Sequence, residues 1–249
     1  MQKLFENWRH YINERKKQWS PWGKGTKPEA LINFAGLPVI DASKFRWGKL
    51  KKYSKRSVPP KIIVIHTGGA TPPSTASTLN KNGYSTNFEV DLEGRIYMYL
   101  DPSEWATWHA GNTPVNQHSI GIDISGNGRW TSTQVASTKD LVSALSSKYD
   151  IPQVVAPDPG FRLENKSAAY YLKPCPGQKP GQPADCRGRK GGVGKNNVAN
   201  FLINNNIGIV RHRNVVATRC PGDFPVDELG TPYARPEFDQ TRIAKSQKM

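Results

Sequence analysis

The 249-residue sequence predicts an α/β domain, on three observations. Ile62-Ile63-Val64-Ile65 is a continuous apolar run of strand length, suited to a central strand buried on both faces. Ser119-Ile120-Gly121-Ile122-Asp123-Ile124 reads as a second strand of the same kind. Residues 131–149 follow it with an apolar stripe, Val135, Leu141, Val142, Leu145 and Tyr149, at helical spacing.

The remaining elements follow in chain order. Residues 2–18 place Leu4, Phe5, Trp8, Tyr11 and Ile12 on one helical face, which suits packing on the domain or on a membrane surface or partner. Residues 20–60, rich in Pro, Gly, Lys and Trp, read as an extended basic arm. Strands are expected across 85–91 and 95–100, joined at Leu92-Glu93-Gly94, where glycine supplies positive φ to a hairpin turn. Residues 152–194 are rich in Pro and Gly and lack periodicity, as in a long surface insertion that a Cys175–Cys186 pair is able to close. A short helix near 198–204 precedes a last strand at 207–211. This divides the chain into a basic helix and arm (1–60), a core domain (61–225) and a tail (226–249).

The net charge is +15, which calls for a polyanionic partner: nucleic acid, anionic membrane or acidic wall polymer. The charge is uneven, at +11 over residues 1–61, −3 over 62–156 and +7 over 157–249. No nucleic-acid-binding motif accompanies it, and the aromatics are not interleaved with bases, so nucleic acid is not the expected partner. No apolar run approaches the ~20 residues of a membrane span, and the charged start lacks a signal-peptide apolar region. Three cysteines are too few for a disulfide framework and leave Cys220 as a functional thiol.

The chemistry gathers at two strand ends. His66 closes the 62–65 run, His212 closes the 207–211 run, and Cys220 follows eight residues later in a Cys-Pro-Gly turn. Two imidazoles and a thiolate suffice to hold zinc with a fourth position open, which implies Lewis-acid hydrolysis. Each histidine taken alone also suits a hydrogen-bonded structural role.

Four strings then carry a resemblance: Ile63-Val64-Ile65-His66-Thr67, Trp108-His109-Ala110-Gly111, Ser119-Ile120-Gly121-Ile122-Asp123, and His212-Arg213-Asn214-Val215 with Thr218-Arg219-Cys220-Pro221-Gly222. In this order they resemble the type 2 N-acetylmuramoyl-L-alanine amidase family, which includes peptidoglycan recognition proteins and phage endolysins. The resemblance implies a mixed β-sheet flanked by helices, with one Zn²⁺ in a groove held by His66, His212 and Cys220. It implies cleavage of the amide between the lactyl group of N-acetylmuramic acid and L-alanine of the stem peptide.

Further roles follow from the same resemblance. One branch of the family uses a strand tyrosine where this chain has Thr86, and another uses a carboxylate where this chain has Asp123. Asp123 is therefore the expected proton acceptor. Tyr84, two residues before Thr86, shares its face if the strand is regular. Thr218 stands where some relatives carry an oxyanion-stabilising lysine, with Arg219 beside it. Trp108 and His109 match a groove-lining pair that meets the sugar, and Asn87 is a candidate substrate contact.

The expected function is a zinc amidase acting on peptidoglycan, monomeric, and of the phage-endolysin kind. Such an enzyme passes from the host cytoplasm to the periplasm and wall, with the basic arm drawn to anionic membrane or wall polymer. A peptidoglycan-binding module of the same fold that does not cut is the alternative.

Overall fold

The computed structural model describes residues 30–158, 198–216 and 218–233. The expected 2–18 helix, most of the 152–194 insertion and both Cys175 and Cys186 lie outside them.

The centre of the molecule is β4 (Ile62–Thr67), paired in parallel with β8 (Ser119–Ile124) on one side and β10 (Ile209–Arg211) on the other. Beyond β8 come β5 (Phe88–Val90) and its antiparallel partner β6 (Ile96–Met98), the expected hairpin with Gly94 at φ 75° in its turn. Both hairpin strands are shorter than expected, although the pairing runs one step further: the Tyr99 N–H donates to the Asn87 carbonyl at 2.8 Å. Beyond β10 lies β9 (Val154–Val155).

Both sheet edges hold strands that the periodicity did not suggest. β1 (Leu31–Phe34) and β2 (Leu37–Asp41) form a hairpin whose second strand runs parallel to β6. β11 (Thr231–Pro232) pairs with β9 at the other edge. The full order is β1-β2-β6-β5-β8-β4-β10-β9-β11, a nine-stranded mixed sheet. Residues 30–55 are thus part of the sheet and its cover, not an extended arm. Phe34, Val39 and Ile40 are buried there, and burying apolar side chains outweighs the Pro/Gly/Lys character around them. Val226 and Leu229 are likewise buried, so the body of the domain runs past residue 225.

Helices cover both faces. α3 (Ser132–Tyr149) packs Val135, Leu141, Val142 and Leu145 against Ile63, Ile65, Ile120, Ile122 and Ile124. Its start is capped by the Thr131 hydroxyl, which accepts from the Gln134 N–H at 3.1 Å. The opposite face packs Ile62, Val64 and Val210 under α2 (Thr113–His118) and α4 (Val198–Asn204). α1 (Pro72–Asn82) follows β4 and ends on Gly83 in the left-handed region. A separate ribbon pairs β3 (Tyr53–Lys55) with β7 (Trp105–Thr107).

The side-chain period of two in a strand decides where the chemistry goes. In β8 the isoleucines at 120, 122 and 124 face α3. Ser119, Gly121 and Asp123 therefore face the other way, opposite Ile62, Val64 and His66 of β4 in register. Glu89 of β5 is the register partner of Asp123 and joins the same face.

Candidate metal centre

His66 sits at the carboxyl end of β4, and His212 is the first residue beyond β10, the parallel neighbour of β4. Parallel pairing thus sets the two rings side by side, with centroids 4.5 Å apart. Cys220 returns beneath them: its sulfur accepts from the Thr67 N–H at 3.0 Å and lies 3.9 Å from His66 Nδ1. One ligand atom from each of His66, His212 and Cys220 falls within 4.8 Å of the others.

Three features fit this group to a zinc ion. His212 Nε2 is buried and has no hydrogen-bond partner among the described residues; an orphaned lone pair of this kind is costly unless something electropositive meets it. The other His212 nitrogen, Nδ1, bonds the Ala110 backbone, which leaves Nε2 as the nitrogen without a partner among the described residues. A tetrahedral zinc with ordinary Zn–N and Zn–S lengths spaces its ligand atoms roughly 3.3–3.6 Å apart, so the 3.9 Å between His66 and Cys220 is within side-chain adjustment.

The electrostatics agree. Burial, with help from His212 and His109, holds His66 well below the ordinary imidazole range, and burial lowers His212 to about 4. Both rings are therefore neutral and able to ligate at neutral pH. Burial pushes the Cys220 thiol up to about 12. A buried thiolate is thus unfavourable without a cation beside it, as the sulfur of a metal site should be.

Asp123 adjoins the group as the register partner of His66. Burial first, then the neighbouring Glu89, raise its carboxyl to about 8, while a hydrogen bond from the Thr86 side chain opposes the rise. Glu89, itself raised to about 7 by burial, is held by the hydroxyls of Thr75 at 2.6 Å and Tyr99 at 2.6 Å, and by Ser125. Sequence reasoning missed Glu89 and the supporting role of Thr86. A charged residue flanked by Phe88 and Val90 in a strand was the available signal.

Other expected site residues are placed differently. Asn87 is fully buried: its Nδ2 donates to the carbonyls of Leu100 (3.1 Å) and Trp105 (3.3 Å), and its Oδ1 accepts from Thr107 Oγ1 (2.8 Å) and the Gly121 N–H (3.2 Å). All its hydrogen-bonding capacity is spent on holding the loop around β7, so it is not a surface for substrate. Tyr84 is half-exposed and lies in the turn after α1. The strand begins only at Phe88, so the period-two argument that put Tyr84 on the face of Thr86 does not apply.

His109 is buried rather than open to the groove. Its Nδ1 hydrogen-bonds His66 Nε2 (2.9 Å) and its Nε2 hydrogen-bonds Ser119 Oγ (3.0 Å). Trp108 is 38% exposed, with Lys52 Nζ 4.5 Å from its ring centroid. The Thr218 hydroxyl accepts from the Cys220 N–H at 3.3 Å and shapes that turn, and Arg219 is exposed beside it.

Residues 56–178, which hold the first three of the four strings, match the family model described as N-acetylmuramoyl-L-alanine amidase, bearing out the family resemblance. No curated protein matches the chain. Among solved structures, the endolysin N-acetylmuramoyl-L-alanine amidase LysCS from Clostridium intestinale is 19% identical, over 73% of this chain and 91% of that one, with a TM-score of 0.41. The Ph2119 endolysin of a Thermus scotoductus bacteriophage is 16% identical over 77% and 98%, with a TM-score of 0.46. A mutant of Drosophila PGRP-LB in complex with tracheal cytotoxin is 16% identical over 81% and 96%, with a TM-score of 0.44. The family match supports an amidase or a peptidoglycan-binding role.

Proposed function

We propose that this chain, whose residues 56–178 belong to the N-acetylmuramoyl-L-alanine amidase family, is a zinc-dependent hydrolase of peptidoglycan. Its bond is the amide between the lactyl group of N-acetylmuramic acid and L-alanine of the stem peptide. The observation that carries this reading is the convergence of His66, His212 and Cys220 within 4.8 Å. Peptidoglycan-binding proteins have no need of three metal-competent side chains. A Zn²⁺ held there supplies Lewis-acid polarisation of the scissile carbonyl and acidifies the attacking water.

The protein's own groups do the rest. Asp123, beside the ligand set, takes the proton of the attacking water on a carboxylate oxygen and delivers it to the leaving amine. The Thr86 hydroxyl, which donates to the Gly121 carbonyl at 3.0 Å, favours the charged form of that carboxylate, and positive charge in the ligand group counters the burial that otherwise keeps it protonated. The exposed face of Trp108 and the exposed Arg219 meet the glycan and the stem peptide. Thr218, engaged with the Cys220 turn, serves the ligand rather than the oxyanion. The setting we infer is a phage-type endolysin, with the basic flanks docking on anionic membrane or wall polymer.

The test is release of stem peptides from purified sacculi, with and without a chelator, and again with Cys220→Ser. Zinc-dependent appearance of new L-alanine amino termini is the expected result. Activity that survives both treatments sinks the zinc reading, and binding to sacculi without release assigns the chain to recognition.

A further inference from the structure

The loop between β7 and α2 holds both histidines of the ligand set from behind. His66 Nε2 lies 2.9 Å from His109 Nδ1. Nδ1 of His212 bonds the backbone of Ala110, the next residue, and leaves Nε2 without a partner among the described residues. Two successive residues of one loop therefore fix the orientation of both imidazoles. Nothing in the expected groove-lining role of His109 accounts for this.

His109 is seated for that task by β8. Its Nε2 lies 3.0 Å from Ser119 Oγ. Two residues on, a Cβ at Gly121 would stand 2.9 Å from His109 Cγ and 3.1 Å from both Nδ1 and Cδ2. Real Cβ atoms do not approach so closely, so the ring occupies the space that the missing side chain leaves. The Ser-x-Gly alternation thus provides a hydrogen bond for one end of the ring and room for its face.

Donor and acceptor roles along the chain follow from what His66 must do. For Nδ1 of His66, which faces the sulfur, to offer a lone pair, its proton must sit on Nε2. His109 Nδ1 must then accept, and its Nε2–H must donate to Ser119 Oγ. The reverse order would protonate His66 Nδ1 and remove it as a ligand. We propose that His109 is a positioning residue for the metal, fixing the ligating tautomer and ring angle of His66 from a seat built by Ser119 and Gly121. This rests on the zinc reading of the site and extends it to residues behind the ligands. Outer partners of this kind set metal affinity by about 10–100-fold.

The experiment measures Zn²⁺ affinity of the full chain by chelator competition, together with the visible spectrum of the Co²⁺-loaded protein. His109→Leu keeps the branching at Cγ without an acceptor. His109→Asn restores an acceptor oxygen where Nδ1 stood. Leu should lower Zn²⁺ affinity about 10–100-fold and shift the Co²⁺ bands, while Asn should recover most of both. Gly121→Ala, which alters no hydrogen-bonding atom, should weaken binding in the same direction. Thermal unfolding in chelator checks folding; if His109→Leu does not fold, Ser119→Ala takes its place, with a smaller fall expected. Unchanged affinity in His109→Leu, or Leu and Asn equally impaired, overturns the positioning role. A wild-type chain that binds no zinc overturns the proposed function as well, so the two failures are told apart.

Discussion

Thr67 donates its backbone N–H to the sulfur of Cys220 across 3.0 Å, although 153 residues separate them. The residue that follows one ligand in sequence thereby anchors another. A serine in its place still offers an acceptor to Thr67 but no thiolate. Cys220→Ser is expected to lower Zn²⁺ affinity by more than the ~100-fold reached when outer partners are lost, and to abolish peptide release. Metal analysis after dialysis against a weak chelator checks the first, and amino-terminal release from sacculi the second.

Asp123→Asn keeps the shape of the side chain and removes its basicity. Zinc content should stay at the wild-type level while kcat falls by about 10²–10⁴-fold, the usual contribution of a positioned acid–base group. Full turnover at wild-type zinc content would remove Asp123 from the chemistry.

Metal-free protein should show the same carboxyl in its pH dependence. The folded value of about 8 lies above the ordinary 3.8, so between these limits the folded chain holds a proton that the unfolded chain has released. This contribution to stability is full below about pH 4 and is lost as pH rises toward 8. His212, lowered to about 4, and His109, lowered to about 3, act in the opposite sense, costing stability as pH falls below about 6.5. In chelator, the Tm of Asp123→Asn minus that of wild type should therefore grow as pH rises from 4 to 8. A difference that stays flat or shrinks contradicts the assignment.

Asn87→Ala should act on stability. It leaves the Thr107 hydroxyl, the Gly121 N–H and the Leu100 carbonyl without the partner described above, while the Trp105 carbonyl keeps a bond from Arg56 Nη2 at 3.1 Å. At about 1–3 kcal/mol for each buried group left unsatisfied, partly relieved by water, a loss of about 2–4 kcal/mol is expected. Urea unfolding measures it. A substrate contact would instead raise KM at unchanged stability.

The order of the central strands, and the histidines at two of their ends that the fold brings together, were readable because apolar runs and histidines stand out locally. The edge strands β1, β2 and β11 were not. Leu31–Phe34 and Leu37–Asp41 are short and surrounded by lysine, proline and glycine; the first pairs only with the second, and the second joins the sheet by pairing with β6 far along the chain. Within the site, Asp123 was found from its string, while Glu89 was not, since its meaning depends on register with a strand 34 residues later. His109 and Asn87 were noticed but misassigned for one shared reason. A polar residue near a groove looks the same in sequence whether it faces outward or holds the wall from inside, and only burial distinguishes them.

The distance along the chain between His66 and Cys220 also bears on biosynthesis. At about 5–20 residues per second, a ribosome making this polypeptide leaves the first ligand waiting roughly 8–30 s for the last. β4 cannot complete its parallel pairing with β10 in that interval, and a nascent or prematurely terminated chain lacks the thiol altogether. On the proposed zinc reading, metal capture is a late event of maturation that waits until translation has run almost to the end of the described sheet.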